Sequence, residues 1–105
     1  MTAKERGAIH SLREDLQRQF GATRVVLFGS AARGAMDVES DIDLFVQVPE
    51  LDWNRESAMI GLAFETSLEI GRCVSLSVFS DRELAEEPSC AAGLLQRVER
   101  EGKPV

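Results

Sequence analysis

Histidine, cysteine and basic charge are the scarce materials of this 105-residue chain, and each shortage removes a class of function. His10 is the only histidine, which excludes a histidine-rich metal site. Cys73 and Cys90 have unlike surroundings and lack metal-ligand spacing, so reduced, partly buried thiols are expected rather than a disulfide or a zinc site. Lysine and arginine number 12 against 18 acidic residues, for a net charge of -6. The basic residues are scattered. Proteins that grip long nucleic acid by its backbone rely on clustered cations to displace counterions, so that partner is not expected. A small nucleotide carried by a divalent cation is compatible with the acidic surface, because the cation offsets phosphate charge locally. No apolar stretch approaches the ~20 residues that span a bilayer, and the start Met1-Thr2-Ala3-Lys4-Glu5-Arg6 leads into no signal-type apolar core. A cytoplasmic protein with no membrane partner is expected. With 44% hydrophobic and 29% charged residues and no low-complexity tract, residues 1–105 read as a single globular domain with one modest core.

The chain opens on a pattern of helical period. Ile9, Leu12, Leu16 and Phe20 share one side, Thr2 and Glu5 have capping-box spacing, and Gly21 is a natural stop. Val25-Val26-Leu27-Phe28 is a short continuous apolar run of the kind found in strands covered on both faces. It ends at Gly29-Ser30; a helical turn over 31–33 and a loop over 34–40 follow. From Asp41 to Val48 the pattern alternates, with Asp41, Asp43, Phe45 and Gln47 on one side and Ile42, Leu44, Val46 and Val48 on the other. Asp52 or Asn54 can cap a helix that runs to about Ile70, before Gly71. Its apolar sector, from Met59 to Leu68, is broad: the favoured reading is a helix lying across a sheet, and the sharper alternative adds a second face used by a partner protein. Val74, Leu76 and Val78 then alternate with Cys73, Ser75 and Ser77 as a third strand. Ser80 and Glu83 form a second capping-box pair for a short helix, and Ala91, Leu94, Leu95 and Val98 define a last helix that stops near Gly102. Trp53 and His10 read as packing or surface residues.

Two motifs carry chemistry. A strand ending in Gly-Ser lets backbone approach a ligand, since glycine has no side chain, and adds a hydroxyl and an amide donor suited to phosphate; alone, the same pair merely reverses a chain. Asp41 and Asp43, two apart on a strand, share a face with their bases about 6 to 7 Å apart. Such carboxylates repel unless a cation neutralises them, and hard oxygen ligands suit magnesium, which also binds substrate phosphates. A lone Asp-x-Asp is better explained by an acid that opens the strand and a solvated outward one. The two motifs in succession, one at the end of a strand and the other at the start of the next, point to one site at a sheet edge.

Leu27-Phe28-Gly29-Ser30-Ala31-Ala32-Arg33-Gly34 followed by Ser40-Asp41-Ile42-Asp43-Leu44 resembles the signature of the minimal nucleotidyltransferases of the DNA polymerase beta superfamily. The resemblance implies an α/β (α+β) fold, a small mixed sheet flanked by helices. It implies that Gly29 and Ser30 contact the triphosphate of a bound nucleotide, that Arg33 helps neutralise it, and that Asp41 and Asp43 ligate Mg2+ and serve catalysis. The activity it implies is transfer of a nucleoside monophosphate from a nucleoside triphosphate, ATP among the candidates, to a hydroxyl of a protein or small molecule. The implied partner is a small helical HEPN-type protein, with this chain as the antitoxin of a toxin-antitoxin system. One departure stands out. Where active members carry a third carboxylate on the following strand, this chain has Ser75, a neutral hydroxyl and a poor base near pH 7. Two readings follow: an enzyme, or a catalytically degenerate module of the same fold that binds a helical partner without turnover. Glu69 and Asp81 are the acids nearest in sequence that would have to replace the missing one.

Overall fold

In a computed structural model, residues 2–29, 41–86 and 92–105 are described. The elements run α1 (Ala3–Phe20), β1 (Arg24–Phe28), β2 (Ile42–Val48), α2 (Trp53–Ile70), β3 (Val74–Ser80), α3 (Asp81–Glu86), α4 (Ala92–Glu101) and β4 (Lys103–Pro104). The strands form one mixed four-stranded sheet in the order β3-β2-β1-β4. β1 is antiparallel to β2 and to β4, while β2 and β3 are parallel and joined through α2. This is the expected mixed sheet flanked by helices. The last strand was not anticipated, because two residues ending in Pro104 carry no alternation to read.

Local signals set the boundaries. At the start of α1 the Glu5 amide donates to Thr2 Oγ1 (3.1 Å) and the Thr2 amide donates to Glu5 Oε1 (2.8 Å), a reciprocal capping box. Gly21 ends this helix at φ 69°. Asp52 caps α2 by accepting from the Arg55 amide at 2.7 Å, and Gly71 ends it at φ 70°. Ser80 and Glu83 form the second capping box, at 3.1 and 3.2 Å, and so turn β3 directly into α3.

The alternation along β2 divides the interior into two layers. Ile42, Leu44, Val46 and Val48 are fully buried and, with Val25, Leu27 and Val74, meet Ile9, Leu12 and Leu16 of α1 and Met59 and Ala63 of α2. On the opposite face Val26, Phe28 and Phe45 pack with Val98 of α4, joined by Phe79, Leu84, Leu94 and Leu95. Each large side chain removed from water in this way contributes about 1.5–3 kcal/mol, and β2, central in the sheet, gives such residues to both layers. One buried ion pair spans the first layer: Glu5, held by its cap, receives Arg72 Nη1 at 3.1 Å just before β3. The backbone bond from Thr2, followed by Arg72's contributions, outweighs burial and lowers the pKa of Glu5.

Two smaller expectations need correction. Cys73 is a free thiol and is exposed rather than partly buried; Cys90 lies outside the described residues. The apolar sector of α2 is only half used by the sheet, since Ile60, Phe64 and Leu68 remain exposed. No helix among the described residues is long and apolar enough to cross a membrane.

Candidate functional site

β1 delivers Gly29 and β2 delivers Asp43 to the same place. In the antiparallel register Phe28 lies opposite Asp43, so the bend after β1 closes directly over the carboxylate that starts β2. Gly29 has φ 77°, and a methyl group built on its Cα would stand 2.9 Å from Asp43 Oδ2. The absence of a side chain at residue 29 is therefore what allows the Asp43 carboxylate to lie against the backbone bend. On the other side of β2, the Ile42 amide donates to the Cys73 carbonyl at 2.9 Å and locks the start of β2 beside β3.

Asp41 sits just before β2 and is exposed, whereas Asp43 is half-buried. Burial raises the pKa of Asp43, the charge of Asp41 raises it further, and Arg97 pulls it back down. A carboxylate penalised in this way is relieved by a cation. The donor set is hard oxygen on one face, open toward solvent at Asp41, and it fits a divalent ion that arrives with a polyphosphate. Two carboxylates fall short of a three-acid set, and among the described residues no group of three His, Cys, Asp or Glu comes together.

Ser75, where the resemblance led to the expectation of a third acid, lies next to Asp43. Asp43 pairs in parallel register with Ser75, which places Ser75 beside it on the same face of the sheet, half-buried. Neither acid nearest in sequence reaches it. Asp81 accepts from Gln47 Nε2 at 2.9 Å, four residues further along β2 and so about 13 Å from Asp43. Glu69 belongs to α2, which covers the opposite face.

Arg97 is the residue that the sequence did not disclose. It lies on α4, its guanidinium carbon 5.6 Å from the centre of the Phe28 ring and its Nη2 3.8 Å from the Cβ position of Gly29. No motif marks it. The only clue available was its place on α4 between Leu94 and Val98, whose spacing turns that side of the helix toward the sheet. Asp41, Asp43 and Gly29 are thus brought together, with Arg97 added; Ser30 and Arg33 lie outside the described residues.

The arrangement can hold a polyphosphate and its cation, because a backbone bend, two acids and one guanidinium converge where β1 ends and β2 begins. It has no histidine or third carboxylate to take a proton among the described residues. The nucleotidyltransferase domain model matches residues 9–99. A solved structure assigned as a minimal nucleotidyltransferase is 30% identical, covers 95% of this chain and 91% of its own, and superposes with a TM-score of 0.62. A toxin-antitoxin complex with AMP-PNP is 25% identical over 90% of this chain and 69% of the other, at a TM-score of 0.64. A tri-AMPylated Shewanella oneidensis HEPN toxin in complex with its MNT antitoxin, 24% identical over 96% and 67% of the two chains, shares the fold at a TM-score of 0.58. The comparison with curated proteins gave no match.

Proposed function

Since this chain belongs to the nucleotidyltransferase domain family, we propose that it transfers a nucleoside monophosphate from a nucleoside triphosphate to a hydroxyl, with magnesium as the accompanying ion. The acceptor oxygen forms a bond to the α-phosphorus, the bond from that phosphorus to the β-phosphate oxygen breaks, and pyrophosphate leaves. The observation that carries this reading is the contact between the Asp43 carboxylate and the bend at Gly29, with Asp41 close enough to oppose its ionisation.

Asp41 and Asp43 hold the ion in this reading, Gly29 and Ser30 receive phosphate oxygens, and Arg33 and Arg97 neutralise the triphosphate. Magnesium, when bound, supplies charge neutralisation at the phosphates and orients the group that is transferred. The chain's own part is to fix the triphosphate against one sheet end and to hold two acids beside it. Ser75 can orient an acceptor but does not take its proton at neutral pH, so that proton leaves to solvent or to a base on the acceptor. A slow enzyme with a protein acceptor follows. The precedents are the complex with AMP-PNP and the HEPN toxin carrying AMP groups, and a small helical HEPN-type protein is accordingly the proposed partner, with this chain as the antitoxin.

A second reading has one specific observation in its favour. Ser75 is in register with Asp43, where the resemblance calls for a third acid, and a neutral residue there is what a module that binds nucleotide and partner without turnover would carry. The readings part in one experiment: the purified chain is incubated with labelled nucleoside triphosphates and magnesium, with and without the protein encoded beside it. Transfer of label that disappears in Asp43→Asn establishes the enzyme. Nucleotide binding by the folded chain with no transfer to any acceptor establishes the module.

A further inference from the structure

The two edges of the sheet are built differently. β4 is two residues long and contains Lys103 and Pro104, so it offers little to another strand. β3 is seven residues long, Val-Ser-Leu-Ser-Val-Phe-Ser, without a charge, proline or glycine, and among the described strands it pairs only with β2. Sheets normally blunt such an edge, because its outward amides and carbonyls form a template for a further strand. β3 itself carries no charge, proline or bulge that would blunt it.

α2 runs alongside this edge with its apolar surplus turned outward. Ile60, Phe64 and Leu68 are 52%, 62% and 69% exposed, and Trp53, two turns earlier on the same side, is 78% exposed. Between this ridge and the first half of β3 lies a groove of about 690 Å³, lined by Ile60, Phe64, Leu68, Val74 and Leu76 among others. The four exposed side chains present roughly 500 Å² of apolar surface, more than half of the ~800 Å² that each partner of a stable interface buries. The groove walls and the strand edge supply the remainder. A patch of this extent is at the upper end of what single chains expose, and patches of that size often mark an interaction site.

We infer that a second copy of this chain covers this face, with β3 adding antiparallel to the partner's β3 and the two α2 helices lying antiparallel beside each other. A helix laid in the groove would cover the ridge but leave the β3 edge bare; an extended strand flanked by its own apolar ridge satisfies both. The chain carries that combination itself. Ile60, Phe64 and Leu68 are evenly spaced, so a two-fold axis near Phe64 sets it against the partner's Phe64 and sets Ile60 against the partner's Leu68. The strand and the ridge are uncharged, which lets them meet their own copies despite a net charge of -6.

Sedimentation velocity of the full chain over a concentration series tests this arrangement. The expected mass is twice the 11.6 kDa of one chain. Phe64→Glu, at a position exposed in the single chain, should return the mass to one chain with an unchanged circular dichroism spectrum. Amide hydrogen exchange over residues 74–80 should be faster in that variant than in the parent. A parent that sediments as one chain throughout would overturn the inference, as would a Phe64→Glu chain that still dimerises. A helical partner that buries Phe64 while the chain alone remains monomeric would likewise refute it.

Discussion

Replacing Gly29 with alanine separates backbone strain from site chemistry, because the fold supplies its own control. Gly29 and Gly71 have nearly the same left-handed φ, 77° and 70°, but a Cβ on Gly71 would meet nothing within 4 Å, whereas one on Gly29 would stand 2.9 Å from Asp43 Oδ2. Alanine in this region costs about 1–2 kcal/mol at either position. For a domain of this size that is a fall in melting temperature of about 4–8 °C per kcal/mol. The atom met at Gly29 is the free end of a short side chain, so the collision is relieved by swinging the carboxylate aside and adds little to the stability loss. Gly29→Ala and Gly71→Ala should therefore melt within about 1 kcal/mol of each other, yet only Gly29→Ala should lose magnesium-dependent nucleotide binding and label transfer, by ~10²-fold or more if the displaced carboxylate holds the ion. Thermal melts with titration of a fluorescent ATP analogue read both quantities. Equal nucleotide affinity in the two variants would refute the placement of the site.

Three further substitutions test other parts of the argument. Asp43 has a raised pKa, so its ionised form opposes folding; the stability it allows is fully present below the ordinary aspartate value of 3.8 and is lost as pH rises through the folded value. Asp43→Asn should accordingly melt higher than the parent at pH 7, the gap closing toward pH 3, while label transfer is abolished. Glu5 behaves in the opposite sense: its pKa is lowered, so its contribution is present above 4.5 and lost as pH falls through the depressed value. Glu5→Gln, which weakens both the Thr2 cap and the Arg72 pair, should cost about 1–3 kcal/mol at pH 7 by denaturant titration and far less in acid. Ser75→Asp supplies an acid in register with Asp43. It should raise the transfer rate by ~10²- to 10⁴-fold if proton removal limits turnover, and no change would favour the binding module.

The elements whose reasons are local were legible in the sequence. Both capping boxes, the stops at Gly21 and Gly71 and the two-sided alternation of β2 depend on neighbours within four residues, and each takes its expected form. The approach of Gly29 to Asp43 was legible only in part. The motifs indicated a shared sheet edge, but the antiparallel register that sets Phe28 opposite Asp43 is a property of two strands and is written in neither alone. Arg97 was illegible for the same reason carried further. A cation on α4 reaches the end of β1 through packing of Val98, Leu94 and Leu95 against Phe28 and Phe45, contacts between residues about 50 to 70 positions apart.

That packing also explains why the site lies at this end of the sheet. Every inward residue of β2 on the α1 and α2 side is apolar and fully buried, so no ionisable group can be accommodated there without a partner such as Arg72 provides for Glu5. On the α3 and α4 side the apolar layer is shorter: Phe45 and Phe79 stack at 5.7 Å and Phe28 and Val98 complete it, but Asp43 and Ser75 lie beyond it. Asp43 therefore stands at the boundary between core and solvent, buried enough for its pKa to rise and open enough to meet a ligand. A carboxylate one alternation further in, at Phe45, would be fully buried and closed to a substrate; at Asp41 it is exposed. The graded burial from Asp41 through Asp43 to Phe45 is what makes two identical side chains chemically different, and it requires only that the α4 layer, while still covering Phe28 on β1, leave Asp43 and Ser75 outside it.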